Sequence, residues 1–218
     1  MRVVVFGATG GTGRAFIASA LAAGHDVTAF ARNAGRIVPT KGLAVIEGDA
    51  MIAASVAPAL SGQDAVVISL GNSQNAFALR FGARRTTARD ICEAGTRNIL
   101  QSLPAGSPVP VVVVGAFGTG DTRQNLPFMF KLFYQLFLRE QMADKEKQDL
   151  VLKTSDAHYS LIQPVALTDR PGLGTWTASR DGTFGKSEVS RDDLAAFILS
   201  RLVVGDGAPR GETITFSG

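Results

Sequence analysis

Seven residues, Gly7-Ala8-Thr9-Gly10-Gly11-Thr12-Gly13, restrict this chain more than any other part of it. They follow Arg2–Phe6, a valine-rich run suited to a strand buried on both faces. They open Thr12–Ala23, in which Phe16, Ile17, Ala20 and Leu21 recur with helical spacing. A glycine pattern gains meaning from that strand–turn–helix setting. Gly7 permits the sharp turn, Gly10 lets the backbone approach a pyrophosphate, and Gly13 lets the helix pack on the strand. The free N–H groups and positive dipole end of the helix then face the phosphates. The spacing is GxxGxxG rather than GxGxxG, and a ligand-free β–α turn is the plain alternative. The setting favours a dinucleotide site contacted by Gly7, Thr9, Gly10, Gly11, Thr12 and Gly13.

The rest of the chain continues the alternation. Strands are expected at Asp26–Ala31, Leu43–Glu47, Ala65–Leu70, Val109–Val114 and Tyr159–Gln163, with helices at Ser55–Leu60, Thr86–Leu103 and about Asn125–Thr154. Such spacing implies right-handed crossovers and an α/β fold of Rossmann type, a doubly wound, mostly parallel sheet. After Pro164 the rhythm changes. Short strands at Thr175–Ala178, Gly185–Val189 and Thr213–Phe216, with a helix at Arg191–Leu202, suggest one domain over residues 1–218, whose small substrate-side lobe is formed mainly by residues 165–190.

Composition closes off other classes. With 45% hydrophobic residues and a net charge of +3, the chain is not expected to be disordered. One cysteine excludes an internal disulfide, and no Cys/His spacing resembles a metal site. His25 and His158 are far apart, and His158 precedes the sixth strand at its amino end, a structural position. No run of about 20 apolar residues exists to span a bilayer, and the four apolar residues before the loop are too few for a signal-peptide core. A cytoplasmic location is expected. Scattered basic residues argue against nucleic acid as a partner.

The end of the second strand decides between dinucleotides. An NAD site commonly places an acidic residue there for the ribose 2′-hydroxyl. This chain reads Phe30-Ala31-Arg32-Asn33-Ala34-Gly35-Arg36, without a carboxylate. Arg32, supported by Arg36, suits a charge-assisted fork on a 2′-phosphate, so NADP(H) is the expected cofactor; two solvated arginines are the alternative. Asp49 and Ala50, after the third strand, are placed to meet the adenine edge, although Asp49 suits a helix cap almost equally well. Leu70, Gly71 and Asn72, after the fourth strand, are placed beside the ribose and phosphates, or simply form a turn.

These residues resemble the short-chain dehydrogenase/reductase superfamily and, within it, the atypical NmrA-like members of the flavin reductase and biliverdin reductase B type. The likeness runs almost end to end. It rests on Phe6-Gly7-Ala8-Thr9-Gly10, Gly62-Gln63-Asp64-Ala65-Val66, Gly95-Thr96-Arg97-Asn98-Ile99, Ala116-Phe117, Gln163-Pro164 through Thr168-Asp169, and Ser190-Arg191-Asp192-Asp193-Leu194. The resemblance implies that Pro164 shapes the nicotinamide pocket through its backbone, and that Ala116 and Phe117 present surface to a flat substrate. Two polar groups of that type are replaced, by Gly115 and by Ala166.

The usual Tyr-x-x-x-Lys acid is absent: Leu138 stands four residues after Tyr134, and Gln163 four after Tyr159. Lys145 is read as a surface or ribose-contacting lysine before a proton donor. Thr119 and Asp121 follow the fifth strand at its carboxyl end, where substrate contacts fall, but a loop turn accounts for them as well. Trp176 either caps the pocket from the C-terminal lobe or packs there. Residues 126–138, LPFMFKLFYQLFL, are apolar all round a helix. Core packing plus a homo-oligomer surface leads as an explanation, ahead of a wall for a planar substrate and a membrane-surface helix. Without a strong acid, hydride transfer to a flavin, quinone or linear tetrapyrrole fits better than alcohol chemistry, since a large ring delocalises the developing anion. The rival reading is an NmrA-like redox sensor that binds a dinucleotide without turnover. An epimerase relative is disfavoured by the missing Tyr-x-x-x-Lys.

Overall fold

The computed structural model describes residues 1–72, 74, 82, 84–202 and 211–218. The most apolar runs form its centre. β1 (Arg2–Phe6), β4 (Ala65–Ile68), β5 (Val111–Val114) and β6 (Tyr159–Pro164) are buried throughout except for Arg2. Burial on both faces is what a parallel sheet covered by helices demands. β2 (Asp26–Ala31) and β3 (Leu43–Glu47) extend the sheet beyond β1. β10 (Glu212–Ser217) and the short β8 (Thr177–Ser179) extend it beyond β6, giving the order β3-β2-β1-β4-β5-β6-β10-β8. Every pairing is parallel except β10 with β8. β7 (Ala166–Thr168) and β9 (Glu188–Ser190) form a separate parallel pair.

Helices cover both faces. α1 (Gly11–Ala22) and α6 (Arg191–Leu202) pack Phe16, Ile17, Leu194 and Ile198 against Val3 and Val5. α2 (Ala53–Leu60), α3 (Ile91–Ser102) and α5 (Arg139–Lys153) pack Val56, Ile99 and Leu152 against Val4 and Phe6. Alternate residues of β1 thus serve opposite cores, the period-two consequence of strand geometry. The strand order reverses between β1 and β4, so their carboxyl ends diverge into the crevice where ligands of such sheets bind.

Several boundaries differ from expectation for visible reasons. The helix expected from Thr86 begins at Ile91. There Asp144 of α5 accepts the backbone N–H groups of Cys92 (2.9 Å) and Glu93 (3.0 Å), supplying from another helix the cap that Asp90 does not provide. The helix expected over 125–154 is broken. After a 3-10 turn (Gly120–Asn125) come α4 (Phe128–Phe133), a π turn (Tyr134–Leu138) and α5. Phe130 and Tyr134 pack on the core, but Phe128, Met129, Leu132, Phe133, Leu136 and Phe137 are exposed, Phe128 by 77%. Core packing therefore accounts for only part of this segment. Among the described residues no helix is long and apolar enough to cross a membrane, and no cluster of three or more His, Cys, Asp or Glu suits a metal ion.

Asp144→Ala strands two N–H groups at a buried helix start, so it should cost about 2 kcal/mol of stability. Urea unfolding is expected to show a lower midpoint at an unchanged slope.

Candidate functional site

The glycine loop is shaped by the strand it faces. Gly7 has φ +88°, and a Cβ on it would run into the carbonyl oxygen of Ser69 just after β4. A Cβ on Gly13 would likewise collide with the Gly7 carbonyl. Gly10 donates its N–H to that carbonyl (3.0 Å), closing the turn. Gly10 is the N-cap of α1, without a side-chain hydrogen bond to it, and the first turn holds no acidic residue. The N–H groups at Gly11 and Thr12 therefore meet no competing carboxylate from their own turn. Thr9 is held by its carbonyl, which accepts from the Arg14 guanidinium. Across the crevice, a Cβ on Gly71 would meet no described residue within 4 Å. An uncapped helix start beside this glycine-lined crevice fits a dinucleotide diphosphate on sign of charge.

At the end of β2, Arg32 is exposed. Its guanidinium donates to the Thr86 carbonyl (2.9 Å) and to Thr87 Oγ1 (3.4 Å). Arg36 is exposed in the 3-10 turn Ala34–Arg36. From β3, Glu47 Oε2 accepts the Ala34 N–H (2.9 Å) and so fixes that turn. Asp49 Oδ1 accepts the Met51 N–H (3.0 Å), so its carboxylate shapes its own loop. Ala50 is buried, and its carbonyl accepts from Asn98 (2.8 Å). Asn72 Oδ1 accepts the Gln74 N–H (3.0 Å).

The third region lies at the carboxyl ends of β4, β5 and β6. Lys145 is half-buried, and its ammonium donates to the carbonyls of Leu70 (2.8 Å) and Val114 (2.6 Å) and to Gln148 Oε1 (3.0 Å). Three acceptors use all three of its N–H donors, so Lys145 is a brace between adjacent strand ends rather than a surface lysine. Leu70 O also accepts from Cys92 Sγ (3.4 Å), a buried thiol that desolvation pushes up to about 11. Thr119 is fully buried. Its hydroxyl contacts Asp149 Oδ2 (2.7 Å) and the Ala116 carbonyl (2.9 Å), and Gln163 Nε2 donates to the same Asp149 oxygen (2.8 Å). Asp149 Oδ1 is buried without a hydrogen-bond partner among the described residues. Burial pushes the Asp149 carboxyl up to about 6, against the lowering pull of Thr119, Lys145, Lys153 and Gln163.

Pro164 is buried and accepts the Phe117 N–H (3.0 Å), tying the ends of β5 and β6. Phe117 is 4% exposed, with its ring against Phe184 (4.9 Å between centroids). Trp176 packs against Phe197 and Phe216 at 6.2 and 5.9 Å. At Gly115, where the resembling reductases carry serine, a Cβ would lie 2.9 Å from Leu161 Cδ1 and 3.3 Å from Gln163 Cγ, so the neighbouring strand leaves little room for one. A groove of about 1090 Å³ opens between the loop that follows β5 and the start of α5, lined among others by Gly118, Leu126, Lys131, Tyr134, Arg139 and Met142. Sequence reasoning missed the roles of Asp144, Asp149 and Gln163. Their one signal was the spacing of Asp149 one turn after Lys145.

The Asp149 titration carries a sign. Its folded pKa, about 6, exceeds the ordinary 3.8, so the native state binds the extra proton and loses stability as pH rises from about 4 to 7. Denaturant titrations of Asp149→Asn should show the variant gaining on the parent across that window by up to about 3 kcal/mol.

The protein is similar along its whole length to known structures. ChuY, an anaerobillin reductase from Escherichia coli O157:H7, superposes with a TM-score of 0.77 at 22% identity, over 100% of this chain and 97% of that one. A short-chain dehydrogenase/reductase from Veillonella parvula DSM 2008, solved in complex with NADP, superposes with a TM-score of 0.78 at 18% identity, over 100% and 94%. By sequence, the chain is 25% identical over 147 residues to YhfK of Bacillus subtilis (strain 168), called an uncharacterized sugar epimerase. That match takes in 67% of this chain and spans only 60% of the length of YhfK. The family model described as NAD(P)H-binding matches residues 7–203, and the chain belongs to that NAD(P)H-binding family.

Proposed function

We propose that this protein is an NADPH-dependent reductase of the atypical short-chain class that passes hydride to a planar acceptor such as a flavin, a quinone or a linear tetrapyrrole. The observation that carries the choice of nucleotide is Arg32, a guanidinium at the end of β2 backed by Thr86 and Thr87, while the Glu47 carboxylate of β3 is engaged by Ala34. Gly10, Gly11 and Thr12 bind the diphosphate through the start of α1, and Arg32 with Arg36 binds the 2′-phosphate. When bound, the dinucleotide supplies the hydride. Lys145 holds the ends of β4 and β5 at a fixed separation instead of surrendering a proton.

No protein acid is assigned. The acceptor's ring delocalises the added charge, solvent delivers the proton, and alignment of two flat rings contributes most of the rate. The groove beside Gly118, Leu126 and Tyr134 gives a flat acceptor room, with Lys131 and Arg139 at its walls. The NADP in the Veillonella structure and the reductase activity of ChuY agree with this reading. The exposed apolar face of residues 128–137 is proposed as the contact with a second copy of this chain.

Arg32→Ala should lose about 1.5–3 kcal/mol of NADPH binding and almost none of NADH binding, measured by calorimetry, because only the former presents a charge to the guanidinium. Equal losses would refute the assignment. NADPH oxidation followed at 340 nm with FMN, riboflavin, menadione or biliverdin should run well above the enzyme-free rate. Tight binding without turnover across that panel would instead indicate an NmrA-like redox sensor.

A further inference from the structure

The Ser190-Arg191-Asp192-Asp193 segment has no part in the function proposed so far, yet its first turn is held firmly. Asp193 donates its N–H to Ser190 Oγ (2.9 Å), and the Ser190 hydroxyl donates to Asp193 Oδ2 (2.8 Å), a reciprocal cap at the start of α6. The same carboxylate accepts the N–H groups of Leu173 (3.0 Å) and Gly174 (2.9 Å). Arg191, the first residue of α6, therefore projects from a rigid base.

Its side chain lies across the start of α1. A Cβ on Gly11 would meet Arg191 Nε at 2.7 Å, Cδ at 3.0 Å and Cζ at 3.3 Å. Glycine at position 11 thus makes room for an arginine from the far end of the chain. The placement is electrostatically adverse. A cation at a helix N-terminus opposes the dipole; at its own helix start Asp192 and Asp193 offset Arg191, but at the start of α1, whose first turn has no acidic residue, nothing in the turn does. Among the described residues Arg191 has one ion-pair partner, Asp169 Oδ1 at 2.7 Å, and the Asp169 side chain is 86% exposed, so the pair contributes little. A rigidly held feature that breaks a local rule is where functional demand is expected to override local preference. An anion between the guanidinium and the first-turn N–H groups satisfies both at once.

We propose that Arg191 binds the diphosphate bridge of the dinucleotide, releasing Asp169 as it does so. This rests on the cofactor reading above and adds to it a residue that acts on NADPH and NADH alike, whereas Arg32 discriminates between them. No chemical step is involved; the guanidinium exchanges one oxyanion partner for another.

Calorimetry with NADPH, NADH, ADP-ribose and 2′-AMP on the parent, Arg191→Met and Asp169→Asn proteins tests the inference. Arg191→Met should weaken NADPH, NADH and ADP-ribose by a common factor of about tenfold or more, and leave 2′-AMP, which lacks the diphosphate, unchanged. Asp169→Asn should tighten the three diphosphates, because the guanidinium no longer has a competing carboxylate. The unfolding midpoint of Arg191→Met should stay near that of the parent, since the ion pair it removes is exposed. Undiminished affinity of Arg191→Met for the diphosphates, or a loss confined to NADPH, overturns the inference while leaving the cofactor reading standing. Asp169→Asn binding no tighter than the parent overturns the exchange. A parent protein that binds neither pyridine nucleotide overturns the cofactor reading, and this inference with it.

Discussion

The chain leaves β1 and β4 so close together that position 7 has no space for a side chain beside the Ser69 carbonyl. The Ser69 N–H donates back to Phe6 O (2.9 Å), so the two strands stay paired up to the point where they part. That approach fixes the floor of the crevice. The turn closed by Gly10 then aims the start of α1 across it, and Lys145 ties the end of β4 to the end of β5 on the other side. Three consecutive strand ends are thereby held at set separations, and a binding surface made of backbone groups keeps its shape without depending on side-chain order.

The brace belongs to an unusual stretch of α5. Asp144, Lys145, Gln148 and Asp149 all turn inward: Asp144 caps α3, Lys145 bridges two strands, Gln148 donates to the buried Thr96 hydroxyl (2.7 Å), and Asp149 joins Thr119 and Gln163. Buried polar groups are tolerated when partners satisfy them, and then they specify one arrangement of the elements around them. Asp149 Oδ1 is the exception, and the raised carboxyl pKa is its thermodynamic trace.

The contrast between legible and illegible regions follows from this. Asp26–Ala31, Leu43–Glu47 and Arg191–Leu202 lie where the sequence placed them, because apolar periodicity and turn residues are local signals. The glycine loop was equally plain, since steric demands on a β–α turn appear residue by residue. α5 was not. Its run ADKEKQD reads as a solvated face, and only the fold reveals which of those charges find hydrogen-bond partners 30 to 75 residues away. The aromatic run was legible as anomalous, but its division into a core-packed pair, Phe130 and Tyr134, and an exposed face depends on which side the fold turns to the core. At position 115, which resemblance marks as a replaced polar group, a side chain would press on Leu161 and Gln163 of the strand beside it.

Cys92, the chain's only cysteine, sits at the seam where α3 meets the end of β4, with its thiol shielded from water and far from the thiolate form that alkylating reagents attack. Reagent reaches a sulfur so buried only when the structure around it opens, so the molecule carries a built-in clock for that event. Its ticking rate reports how tightly the crevice wall is shut.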